Sequence, residues 1–114
     1  MTTSQRDEFV YKVDRFTVPA AAMTAFTARL EQISHALADQ PGCLRSLVLV
    51  EQGAMSGAQE VVTVVHWESE ASFAAARVKL QLHYAAEGFD PPTFMRELGV
   101  NASMGVFREL EAHR

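Results

Sequence analysis

The sequence predicts an α+β domain in which four strands form one antiparallel sheet and two main helices lie on one of its faces. Three observations carry the prediction. Apolar runs alternate between strand-like and helix-like periods in the order strand, helix, strand, strand, helix, strand. Glycine and proline punctuate that order at Pro41-Gly42, Gly53, Gly57, Gly88 and Pro91-Pro92. The runs Ser46-Leu47-Val48-Leu49-Val50 and Val61-Val62-Thr63-Val64-Val65 are apolar at both odd and even positions. Side chains alternate between sheet faces, so each run wants to be dry on both sides.

The first strand is expected over 9–18, where Phe9, Tyr11 and Val13 share one parity and Phe16 and Val18 take the other. A shift near Asp14-Arg15 implies either a bulge or a strand partly covered on both faces. Pro19 suits the first turn of a helix, where its missing N–H loses nothing, with Thr17 or Val18 near the cap. Met23, Phe26, Leu30, Ile33 and Leu37 recur at steps of three and four and form its buried stripe. Gln40-Pro41-Gly42 stops it. The second strand is expected over 44–51, a hairpin loop over 52–57 and the third strand over 60–67. Ser69 is the expected N-cap of the second helix, and Glu70 favours its positive end. Phe73, Ala76, Leu80, His83 and Tyr84 fall near one face of that helix. Gly88-Phe89-Asp90-Pro91-Pro92 ends it, a short helix follows over 92–98, and the last strand runs over 102–110. This βαββαβ order is that of a ferredoxin-like sheet. An antiparallel sheet of this kind covers one face with helices. The chain has too few residues to cover the other, so a homodimer packed sheet to sheet is expected.

At 114 residues the chain is one domain over 1–114, with 1–8 expected to be a flexible N-terminus. A net charge of −4 supplies no basic stripe for nucleic acid. No apolar run approaches the roughly 20 residues that span a bilayer. Residues 1–8 contain no apolar h-region, and Cys43 is the single cysteine. A cytoplasmic protein with no membrane or nucleic-acid partner is therefore expected. His35, His66, His83 and His113 show no paired ligand spacing, so no protein-built metal site is expected. Nucleophile-elbow, Walker and dinucleotide glycine patterns are absent.

Pro41-Gly42-Cys43-Leu44, then Val62-Thr63-Val64-Val65-His66-Trp67-Glu68-Ser69, then Phe73 resemble the antibiotic biosynthesis monooxygenase family of dimeric α/β barrels. There a Pro-Gly-Cys turn leads into the second strand, and the third ends in Trp-x-Ser before a helix carrying Phe. The resemblance covers about 9–110. The family includes cofactor-free oxygenases of polyketide phenols, haem-degrading enzymes and small proteins with no known reaction. It implies a cofactor-independent, monooxygenase-like homodimer that oxidises an aromatic, polyketide-type small molecule. The alternatives it leaves open are haem binding and degradation, or a non-catalytic dimeric module that binds a small ligand. Trp67 matches the tryptophan at the end of the third strand in both enzyme branches. The asparagine those branches carry on the first strand falls near Asp14, a departure in identity; the chain's one asparagine is Asn101. His83 lies roughly where the haem-degrading branch places its iron ligand.

Oxygenation without metal or flavin requires the substrate to supply the electrons. The protein then needs a dry pocket, a base that holds the substrate as an anion, and donors for the developing peroxide. Trp67 is the candidate donor and Asp14 or His83 the candidate base. Phe26, Phe73 and Tyr84 are candidate apolar walls, and Arg45 a candidate for steering an acidic or phenolic substrate. Each has a structural alternative. Trp67 also serves as a core plug, Asp14 as a solvated or salt-bridged residue beside Arg15, and His83 as a satisfied histidine on a helix face. Tyr84 also serves as a cap on the core, and Arg45 as a surface residue. His66 has the opposite parity to Trp67 and is expected at the dimer seam.

Overall fold

The computed structural model describes residues 8–53 and 57–110. Strand β1 spans Val10–Pro19, helix α1 Met23–Ala38, β2 Cys43–Val50, β3 Ala58–Trp67, α2 Glu70–Glu87, α3 Pro91–Leu98 and β4 Asn101–Phe107. The strands form one antiparallel sheet in the order β2-β3-β1-β4. The fold is thus the α+β, ferredoxin-like βαββαβ arrangement that the periodicity implies. Apart from Glu8, the expected flexible N-terminus lies outside the described residues, as does the hairpin tip at 54–56.

Local chemistry sets the element ends. Ser69 Oγ accepts the Ser72 N–H at 3.1 Å and opens α2, the expected cap. Asp90 accepts the Thr93 N–H at 3.3 Å and opens α3, with Pro91 at its first position. Pro19 departs from expectation. It is the last residue of β1, opposite Ala58, and a 3₁₀ turn at Ala20–Ala22 leads into α1. The Ala20 N–H donates to Gly57 O at 2.8 Å, which prolongs the ladder; at a strand end the missing proline N–H breaks nothing.

β1 carries no bulge. Its register with β3 runs unbroken from Val10↔Trp67 to Pro19↔Ala58; the irregularity lies in β2, between Cys43 and Arg45. Residues directly opposite one another share a face, so the helix side of the sheet reads as four rows. Cys43–Trp67–Val10 comes first, then Ser46–Val65–Lys12–Val106, then Val48–Thr63–Asp14–Met104, and finally Val50–Val61–Phe16–Ala102. The outer rows supply most of the strand residues in the core, joined by Val65 from the second row. Val10, Val65, Trp67, Phe73 and Ala76 form one buried cluster. Phe16, Val18, Ala22, Phe26, Leu30, Val61 and Val100 form the other. The middle rows carry Ser46, Lys12, Thr63 and Asp14, on which an apolar helix stripe gains nothing by settling. The core divides there, and the parity shift in the sequence marks that division.

The other face presents Tyr11 and Val13 of β1, Val62, Val64 and His66 of β3, Leu47 and Leu49 of β2, and Phe107 of β4. Leu49 and Phe107 are 48% and 54% exposed. The His66 ring stacks on Tyr11 at 4.4 Å and meets Phe9 edge-on at 4.6 Å. The described helices pack on the opposite side.

Candidate active site

Between the two core clusters lies a cavity of about 320 Å³, partly open to solvent, within the size range of small-molecule sites. Lys12, Asp14, Ser46 and Thr63 lie along its floor, and the rings of Phe16, Phe26, Trp67, Phe73, Tyr84, Phe89 and Phe94 wall it. Three helices supply the roof, the first two along most of their length. Phe26 and Leu30 come from the α1 stripe, Phe73, Leu80 and Tyr84 from α2, and Phe94 and Met95 from α3. The Ser34 and Ser46 hydroxyls bond at 2.7 Å and tie α1 to β2 at one side of the floor.

The structure brings five of the seven expected site residues to this cavity: Asp14, Trp67, Phe26, Phe73 and Tyr84. Asp14 is ion-paired with Lys12, their side chains 15% and 25% exposed. The partner is Lys12 and not Arg15, which points to the other face and donates to Glu60 at 2.5 Å. Trp67 is 2% exposed and packs against Phe73 at 6.2 Å. Its indole forms part of the cavity wall. Burial pushes the Tyr84 phenol up to about 12, against the opposing pull of Arg29. The phenol is therefore a neutral donor at physiological pH. Burial likewise raises the Cys43 thiol, which packs against the Trp67 cluster.

His83 and Arg45 lie elsewhere. On α2 the cavity stripe steps from Phe73 through Arg77 and Leu80 to Tyr84. His83 is about 100° around the helix from Tyr84, 64% exposed, with Nε2 3.6 Å from Glu87 Oε1. Arg45 sits opposite His66 on the bare side of the sheet. The cavity wall contains no histidine among the described residues, so it does not fit a haem held by His83. The described residues include no cluster of three or more histidine, cysteine or carboxylate side chains able to hold a metal ion. Lys12, Arg29, Thr63, Arg77 and Phe94 line the cavity without having been expected there. Lys12 and Thr63 had a signal: polar residues at core parity inside apolar strands.

A model of the antibiotic biosynthesis monooxygenase family matches residues 9–83. No curated protein sequence matches the chain. Among solved structures it is similar to SnoaB of Streptomyces nogalater, a cofactor-independent oxygenase, at 27% identity and TM-score 0.61. That match covers 91% of this chain and 95% of SnoaB. It is also similar to MhuD of Mycobacterium tuberculosis, a haem degrader solved with manganese protoporphyrin IX, at 26% identity and TM-score 0.62, over 89% of this chain and 94% of that one. A Shewanella loihica protein at 24% identity and TM-score 0.67, covering 91% and 96%, shares the fold. No helix among the described residues is long and apolar enough to cross a membrane. With the family model spanning residues 9–83 and the polar floor of the cavity lying within that span, the chain belongs to the antibiotic biosynthesis monooxygenase family.

Proposed function

We propose that this protein is a cofactor-independent monooxygenase acting on an aromatic, polyketide-type small molecule, working as a cytoplasmic homodimer. One observation carries the reading: an aromatic-walled cavity lined by both an indole, Trp67, and a carboxylate, Asp14. A ring methylene flanked by aromatic carbonyl and phenol groups loses a proton to Asp14 and becomes a carbanion. That anion reduces O2, and a carbon–oxygen bond forms to give a peroxide anion, which Trp67 N–H and the neutral Tyr84 hydroxyl stabilise. Protonation gives a hydroperoxide. Loss of the remaining methylene hydrogen with cleavage of the O–O bond then releases water and leaves a carbonyl. One O2 is consumed per CH2 converted to C=O, and the substrate supplies every electron.

Two further features support this reading over its alternatives. SnoaB, similar over nearly the whole chain, is a cofactor-independent oxygenase, and the cavity wall offers no imidazole to haem iron. The bare sheet face, with Val13, Leu47, Val62, Val64 and Phe107, is where the second copy would pack, hiding apolar surface that one chain leaves wet.

The test is oxygen uptake with an anthrone in metal-free buffer containing no flavin. Uptake with quinone formation is expected, falling roughly 100-fold in Trp67→Phe if the indole donor acts as an oxyanion-hole group does. Absence of uptake together with tight anthrone binding would leave the non-catalytic binding module standing instead. Val64→Asp should split the dimer in sedimentation experiments; a parent protein that sediments as a monomer overturns the dimeric reading.

A further inference from the structure

The charges around the cavity run against those of the whole chain. The chain carries a net −4, yet three cations, Lys12, Arg29 and Arg77, line the cavity against one carboxylate, Asp14. Two of the three are engaged. Lys12 pairs with Asp14. Arg29 stands 3.6 Å from Glu87 Oε1 and lies over the Phe89 ring at 3.7 Å. Arg77 has no ion-pair or hydrogen-bond partner among the described residues. It is exposed to solvent yet lines the cavity, so it straddles the rim. It sits one turn beyond Phe73 on α2, with Cζ 5.8 Å from that ring.

From this placement we infer that the ligand of the cavity is an aromatic molecule bearing a carboxylate, and that Arg77 is the residue that reads the carboxylate. The inference rests on the proposal above that the cavity is the substrate site. A guanidinium presents two parallel N–H donors to a carboxylate. The apolar walls beside it reduce the screening that an open surface would impose. The ring system of the ligand would lie among Phe26, Trp67, Phe73 and Phe94 while its acidic group reaches the rim. A neutral ligand of the same shape would fill the rings and leave Arg77 idle.

The chain's single tryptophan, Trp67, lies in the cavity wall and reports occupancy by fluorescence quenching without any turnover. The probes are anthraquinone carboxylate, its methyl ester and a hydroxyanthraquinone that ionises at its phenol. The carboxylate should bind roughly tenfold more tightly than the ester, the gain expected of one charge-assisted pair at a partly solvated site. Arg77→Gln should bring the two within about twofold, with the ester's affinity unchanged, and Arg77→Lys should restore part of the preference. Equal affinities in the parent, a preference that survives Arg77→Gln, tighter binding of the phenolate than of the carboxylate, or no quenching by any probe would each overturn the assignment. Because no oxygen is consumed, the two proposals fail separately. A carboxylate preference without oxygen uptake on any anthrone sinks the oxygenase reading alone, and oxygenation of neutral anthrones without a carboxylate preference sinks this one alone.

Discussion

The Lys12–Asp14 pair lies where apolar residues would pack better, and that makes a sharp stability experiment. The two side chains keep 25% and 15% exposure, between a surface pair, which contributes about 0–1 kcal/mol, and a buried pair, whose breakage costs about 3–5 kcal/mol. Asp14→Leu leaves the ammonium of Lys12 unpaired above an apolar cavity and should destabilise the fold by about 2–3 kcal/mol. For a domain of this length that lowers Tm by roughly 10 °C. The double variant Lys12→Met, Asp14→Leu removes both charges from a partly dry site and adds apolar contacts to the two core clusters. It should lie within about 1 kcal/mol of the parent, or above it. The cycle thus returns a coupling in the double variant's favour of at least about 2 kcal/mol, larger by whatever Lys12→Met alone costs. Urea midpoints at fixed m-value, checked by thermal melts, supply the numbers, and oxygen uptake on the stable double variant should be lost. If the double variant is as unstable as the sum of the two single changes, the polar rows are structural and the account of a core divided for function is wrong.

Other perturbations reach other parts of the argument. Gly42 has φ +85°, and a Cβ there would overlap Ser72 Oγ and Cβ; Gly42→Ala should lose roughly 2–4 kcal/mol from left-handed strain and overpacking together, measured by urea denaturation. Tyr84 titrates near 12 in the folded protein, above the unfolded value of about 10. Its favourable contribution is therefore intact below about pH 10 and lost as pH climbs toward 12, a decline that Tyr84→Phe should remove from a stability–pH profile. His83 points away from the cavity, so His83→Ala should leave oxygen uptake and any Soret change on hemin addition within about twofold of the parent, surface charges of this kind being worth little.

Much of the fold was legible because its signals are local. Ser69 sits where a cap belongs, Met23, Phe26 and Leu30 repeat at helical spacing, and the paired valine runs name the two strands that are apolar on both faces. Pro19 was misplaced because a proline at a strand end and one at a helix start look alike in sequence, and only the pairing with Ala58 separates them. The site was legible in part for the same reason. Trp67 and Phe73 follow from the end of a strand and the start of the helix behind it. His83 and Tyr84 are neighbours in sequence, and a helix turns them about 100° apart, so which of them meets the cavity depends on how α2 docks. Arg77 carried no sequence signal at all, since an exposed arginine on a helix is the commonest reading of its kind.

The amino-acid pattern alone determined the order of elements, the two-sided apolarity of β3 and the parity shift in β1 near Asp14-Arg15, because propensity, periodicity and capping act over a few residues. Tertiary structure decided what that shift means. Four strands pairing in register align Ser46, Lys12, Thr63 and Asp14 into adjacent rows, and helices that bury apolar stripes on either side of those rows leave a cavity between them, a juxtaposition over distances that no short-range preference encodes.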